Sequence, residues 1–158
     1  MAEPLSANLE ELYQSIILDH NRRPQNFRVI PDASSHAEGL NPMCGDQLTV
    51  WLKMNGDVVE DVSFQGSGCA ISKASASLMT QSVKGKTRAE AETIFESFHE
   101  LVTGHGGGAD LGKLKAFSGV SKFPLRVKCA TLAWHALKSA MGGDNDGNAR
   151  RATSEETH

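Results

Sequence analysis

At 158 residues, the chain fits one domain, since domains centre on about 100–150 residues. Hydrophobic residues at 39% and charged residues at 22% match a globular chain and exclude a disordered one. The net charge of -3 gives no electrostatic reason to expect nucleic acid or a membrane surface as a partner, and no apolar run approaches the roughly 20 residues of a bilayer span.

The first predicted element is a helix from about Asn8 to His20. Leu9, Leu12, Tyr13, Ile16 and Ile17 form its apolar stripe, Asn8 and Glu11 have capping-box spacing, and Pro24 limits it. Residues 32–40 are small and weakly alternating, an edge strand at best. Leu48, Val50, Leu52 and Met54 alternate with polar neighbours, which predicts a strand with one apolar face. Asn55-Gly56 is the favoured pair for a type I′ turn. A return strand through Val58, Val62 and Phe64 completes a hairpin, although Glu60 breaks the alternation.

Gly66-Ser67-Gly68 ends that strand, and a small-residue helix runs from about Cys69 to Val83, stopped by Gly85. A further helix starts at Thr87, with Glu90 three residues on in capping-box spacing. Its stripe is Ala91, Ile94, Phe95, Phe98, Leu101 and Val102. A flexible glycine loop at 104–108 and a short helix at 110–117 follow. The last helix is expected from Cys129 to Met141, after an extended stretch at 123–128. The pattern is α+β, with helices packed on one side of a small antiparallel sheet of about three strands. Residues 1–142 read as the single domain. Residues 143–158 carry no apolar face and read as a disordered tail.

Three cysteines are present. The Met1-Ala2-Glu3-Pro4 start does not read as a signal peptide, so an odd count argues against a disulfide framework and for reduced thiols in the cytoplasm. Each cysteine sits at an element boundary. Cys44 lies in the turn Asn41-Pro42-Met43-Cys44-Gly45-Asp46, while Cys69 and Cys129 open predicted helices, where the dipole favours thiolate. With Asp46 they supply three sulfurs and one oxygen, the number a tetrahedral zinc takes. The spacing itself is not a paired C-x-x-C signature, and thiolates suit iron–sulfur chemistry equally well. Four donors around a divalent cation leave excess negative charge. Arg126 is the expected partner for that charge, with Lys128 beside it, whereas Lys73 and Lys122 read as ordinary surface charges.

Other side chains carry less. His20, His36, His99, His105 and His135 are scattered and form no motif with a cysteine, so a Cys–His hydrolase is disfavoured. His20 and His135 read as solvated helix residues, and Met43 and Trp134 as packing residues. The serines after Cys69 fit close helix packing.

Three segments together resemble a known family: Asn41-Pro42-x-Cys44-Gly45-Asp46, then Phe64-x-Gly66-x-Gly68-Cys69-x-Ile71-Ser72-x-Ala74-Ser75-Ala76-Ser77, then Phe123-Pro124-x-Arg126-x-Lys128-Cys129-Ala130-Thr131-Leu132-x-Trp134. They are similar to the IscU/NifU-like iron–sulfur cluster assembly family over roughly Leu12 to Leu137. Lys128 stands where scaffold-type members carry histidine. The 59 residues between Cys69 and Cys129 are more than the scaffold type has. Both features resemble the SufU-type, sulfur-transfer branch.

The resemblance implies the SufE/NifU (IscU-like) fold and a zinc ion held by Cys44, Asp46, Cys69 and Cys129. It also implies a SufS-type pyridoxal-phosphate cysteine desulfurase as partner, with the downstream Suf machinery beyond it. The implied activity is zinc-dependent sulfur transfer: Cys44 accepts persulfide sulfur after a desulfurase histidine replaces it in the zinc shell, and the desulfurase is activated. The alternative is a scaffold on which an iron–sulfur cluster is built by the same ligands. A purely structural zinc domain is disfavoured by the Asp ligand, which such sites seldom use.

Overall fold

The computed structural model describes residues 5–105, 111–142 and 150–153. Helix α1 (Leu5–Arg22) precedes strands β1 (Ser35–Asn41), β2 (Asp46–Asn55) and β3 (Val58–Ser67). Helices α2 (Ala70–Val83) and α3 (Arg88–Val102), a 3₁₀ segment (Gly112–Lys122), helix α4 (Pro124–Met141) and strand β4 (Arg150–Thr153) complete the chain. The sheet order is β3-β2-β1-β4, with β1, β2 and β3 antiparallel and β4 parallel to β1. No helix among the described residues is long and apolar enough to cross a membrane.

The hairpin forms as its alternation requires, with two local differences. Its loop residues are Gly56 and Asp57, since Asn55 pairs with Val58. Only Gly56 has positive φ, at 62°, the pattern of a type II′ turn and not of the expected I′ turn. The register then shifts between Lys53 and Met54: Lys53 pairs with Asp61 and Met54 with Val59. Glu60 is therefore the extra residue of a β-bulge. The bulge accounts for the broken alternation and puts Val59, not Val58, in the core beside Val62 and Phe64.

Leu48, Val50, Leu52 and Ala37 present the same inward face, and α4 lies across β1 and β2 on that face. Pro124 begins α4 at its first turn, where its fixed φ suits a helix and its missing N–H costs no bond. The segment at 123–128 is thus mostly helical, and α4 starts one turn and more before Cys129. Residues Cys129–Leu137 are all buried, so this central helix has no single apolar stripe. Trp134 is fully buried, stacks on Phe98 at 4.8 Å between ring centroids, and donates its indole N–H to Ser75 Oγ at 3.1 Å.

The capping box of α3 is present in both directions between Thr87 and Glu90. In α1, Ile16 and Ile17 pack on the core, while Leu9 and Leu12 stay exposed. His20 and His135 are buried, against expectation. His20 Nδ1 meets Ser77 Oγ at 2.7 Å, and His135 packs edge-on against Phe95. Their surroundings hold both imidazoles below the ordinary histidine range, mainly through burial, and His135 reaches about 4. Strand β1 is flanked on both sides, because Arg150–Thr153 of the segment expected to be disordered pairs with Ala37–Leu40. The remainder of that segment and residues 106–110 of the glycine loop lie outside the described residues.

Candidate metal centre

Three connections meet at one end of the sheet. The first is the β1–β2 loop, residues 42–45, closed by the pair Asn41 and Asp46. Cys44 and Gly45 donate their backbone N–H groups to the Asn41 carbonyl at 3.2 and 2.8 Å. Gly45 sits at φ 72° with open space around it, so its role is conformational. The second connection, β3 to α2, brings Cys69 to the N-cap of α2. A Cβ on Gly66 would meet the Gln47 carbonyl oxygen at 2.1 Å, and one on Gly68 would lie 3.1 Å from Asp46 Oδ1. The glycines let this backbone close over β2. The third contributor is α4, whose second turn carries Cys129.

These elements bring three of the four predicted donors, Cys44, Asp46 and Cys129, into one group, with Cys69 set against its Asp46 side. Cys129 Sγ lies 3.5 Å from Cys44 Sγ, and Cys69 Sγ lies 3.7 Å from Asp46 Oδ2. The ligand atoms of Cys44, Asp46 and Cys129 all fall within 4.8 Å of one another. A tetrahedral zinc with Zn–S bonds of about 2.3 Å has sulfur–sulfur edges of about 3.8 Å. The spacing and the donor types therefore fit a zinc-sized thiophilic cation. Cys129 and Asp46 are buried, whereas Cys44 and Cys69 are exposed.

The helix-terminus expectation holds for one cysteine only. Cys69 caps α2, while Cys129 lies inside α4 and gains nothing from a helix start. Hydrogen bonding sorts their protons instead. The bond from Cys129, helped by Ser72, holds the Cys69 thiol down to about 6 against the opposing effect of burial. Donation to Cys69, burial and the contact with Cys44 push the Cys129 thiol up.

Two residues with no role assigned from the sequence complete the site. Ser72 Oγ is 2.5 Å from Asp46 Oδ2, 3.5 Å from Cys69 Sγ and 3.3 Å from the Cys129 carbonyl. Asp46 Oδ1 accepts the Cys69 backbone N–H at 2.9 Å. Both carboxylate oxygens are therefore oriented, as ligating carboxylates commonly are. Asn41, fully buried, directs Nδ2 at Cys129 Sγ, 3.7 Å away. The one-turn spacing of Cys69 and Ser72 was a usable signal for the serine, whereas Asn41 carried none beyond its place before Pro42.

Arg126 lines the same cavity as the cysteines, with its guanidinium over the Phe123 ring at 4.4 Å. Lys128 is half-buried and does not line that cavity. The cavity, about 820 Å³ and open to solvent, has mainly apolar walls from Leu9, Tyr13, Ile17 and Leu125. Met43, expected to pack, is 68% exposed beside Cys44. Trp134 is the packing residue it was expected to be.

The chain is similar in sequence and fold to known proteins. The chain is 44% identical over 145 residues to the zinc-dependent sulfurtransferase SufU of Bacillus subtilis (strain 168), covering 90% of this chain and 98% of that protein. It is 41% identical to the iron–sulfur cluster assembly scaffold protein IscU of Streptococcus pyogenes serotype M1, covering 85% and 86%. Among solved structures, a protein described as an iron–sulfur cluster assembly scaffold for the SUF system of Fervidobacterium islandicum AW-1 superposes with a TM-score of 0.78. Its identity is 33%, and the match covers 84% of this chain and 98% of that one. The family model for the NifU-like N-terminal domain matches residues 12–130. Sequence and fold agree: the chain belongs to the NifU-like N-terminal domain family.

Proposed function

We propose that the chain serves iron–sulfur cluster assembly as a sulfur carrier, taking persulfide sulfur onto Cys44 from a cysteine desulfurase of the SufS, pyridoxal-phosphate type. Cys44, Asp46, Cys69 and Cys129 would hold zinc, which supplies stabilisation of thiolate at neutral pH. The observation that carries the reading is an asymmetry within the cluster. Asp46 and Cys129 are enclosed, whereas Cys44 is exposed on a four-residue loop at the mouth of an apolar cavity. Of the two exposed sulfurs it is the one carried on a loop, whereas Cys69 is fixed at the N-cap of α2. The similarity to a zinc-dependent sulfurtransferase supports the same reading.

The step is a thiol–persulfide exchange. Cys44 thiolate attacks the outer sulfur of the donor persulfide, a new S–S bond forms at Cys44, and the donor's S–S bond breaks. The donor cysteine leaves as thiolate with the electron pair, so the exchange has no net oxidation. Arg126 at the cavity wall steadies negative charge during the transfer, with Lys128 adding to the local positive field. The apolar walls exclude water from the exchanging sulfurs. The setting is the reducing cytoplasm, and the acceptor is the downstream Suf assembly machinery.

A second reading, a scaffold that assembles a cluster on the same four residues, is favoured by the similarity to IscU proteins. Metal and acid-labile sulfide analysis of anaerobically purified protein separates the two. Stoichiometric zinc without iron or sulfide is expected, and a cluster that transfers to an apo-protein would favour the scaffold. For the acceptor assignment, Cys44→Ser is expected to lose stimulation of the desulfurase and keep the fold. Full stimulation by that variant would end the assignment.

A further inference from the structure

Asn41 makes an unusual set of contacts for a strand-end residue. It is fully buried, and its side-chain amide is used at both ends. Oδ1 accepts the Met43 backbone N–H at 3.2 Å, inside the loop that carries Cys44. That bond fixes which way the amide faces, because an N–H can only be accepted by the oxygen. Nδ2 is thereby directed at Cys129 Sγ, 3.7 Å away across the site. The Asn41 carbonyl also accepts the Cys44 and Gly45 N–H groups. One residue therefore joins the Cys44 loop to the Cys129 sulfur.

We propose that Asn41 is a positioning residue that sorts the two sulfurs, holding Cys129 as the permanent donor and leaving Cys44 as the one that exchanges. An N–H···S bond withdraws electron density from a thiolate, which makes that sulfur a poorer nucleophile while it remains a ligand. Cys129 receives this bond and is buried. Cys44 Sγ meets Cys129 Sγ at 3.5 Å, is exposed, and hangs on a loop whose hydrogen bonds converge on Asn41. This inference rests on the metal reading of the four donors.

Two substitutions separate positioning from loop structure. Asn41→Ser keeps an acceptor for the Met43 N–H, as serine does in such turns, but its side chain is too short to reach Cys129. Asn41→Ala loses both bonds. Each variant and the wild-type chain is loaded with cobalt(II), its thiolate-to-metal charge-transfer band is recorded, and zinc affinity is measured by chelator competition. Both variants are expected to shift the band to longer wavelength and to bind zinc about tenfold more weakly. A Ser variant with wild-type band and affinity, beside an Ala variant that loses both, would show a loop-shaping role only and overturn the proposal.

A measurement on the unaltered chain guards against variants that fold poorly. In the cadmium-loaded wild-type chain, NMR should show scalar coupling between the Asn41 side-chain amide protons and the metal nucleus through Cys129 sulfur. Absence of that coupling, with backbone amide couplings at the site present, would also overturn it. A wild-type chain that takes up no cobalt or cadmium would instead remove the metal reading itself.

Discussion

Asp46 shows how a single side chain is prepared for its place. Its carboxylate is 3% exposed, and its two oxygens accept from the Cys69 N–H and the Ser72 hydroxyl. Ser72→Ala leaves Asp46 Oδ2 only the longer contact with Cys69 Sγ in place of the hydroxyl, which costs about 1–3 kcal/mol. Denaturant unfolding of the metal-free chain should record that loss, and an unchanged midpoint would show that Ser72 is not holding Asp46. The thiols make a second prediction. Cys69 is held down to about 6 from an ordinary 9.0, so its thiolate contributes stability that is fully present above about pH 9 and is lost as pH falls through about 6. Cys129, pushed up, opposes this only above the ordinary thiol range. Alkylation of Cys69 in reduced, metal-free protein should therefore follow a thiolate titrating near pH 6, and an inflection near pH 9 would contradict the hydrogen-bond arrangement. At this scale the grouping of Cys44, Asp46 and Cys129 was legible because Cys and Asp carry distinctive chemistry at turn-rich boundaries. Ser72 left only its one-turn spacing from Cys69 as a signal and Asn41 none, since their contacts are with partners 26 and 88 residues away.

Among the elements, α3 was the most legible, because its capping box and apolar stripe are both local. Thr87→Ala removes the bond from the Glu90 N–H to the Thr87 hydroxyl and should lower stability by about 1 kcal/mol without changing metal uptake. A loss of metal uptake would mean that α3 supports the site in a way its packing does not suggest. Helix α4 was legible at its C-terminal end only. It is buried all round, so periodicity could not mark its start, and Pro124 reads equally as a break or as a first-turn residue. The β3 bulge left a trace in Glu60, yet the register shift needed the partner strand to define it. Helix α1 differs again, because its stripe divides: Ile16 and Ile17 reach the core and Leu12 remains 54% exposed. Leu12→Ser should change stability by less than about 0.5 kcal/mol, and a larger loss in thermal unfolding would place that face in the core.

Across the whole molecule, α4 packs on β1 and β2, and Cys44 sits exposed on the loop that joins those two strands. The β1–β2 loop, the glycine-bounded turn into α2 and the second turn of α4 come from three distant parts of the chain. Their convergence follows from the order β3-β2-β1 with α4 across it. That placement supports the central proposal, that Cys44 serves both as a metal donor and as the sulfur acceptor. The direct measurement is peptide mass spectrometry of the zinc-loaded chain after incubation with a cysteine desulfurase and cysteine. The account predicts the mass of one added sulfur atom on the Cys44 peptide, and no comparable addition at Cys69 or Cys129. Sulfur found on Cys69 or Cys129 with Cys44 unmodified, while the desulfurase is still stimulated, would contradict it.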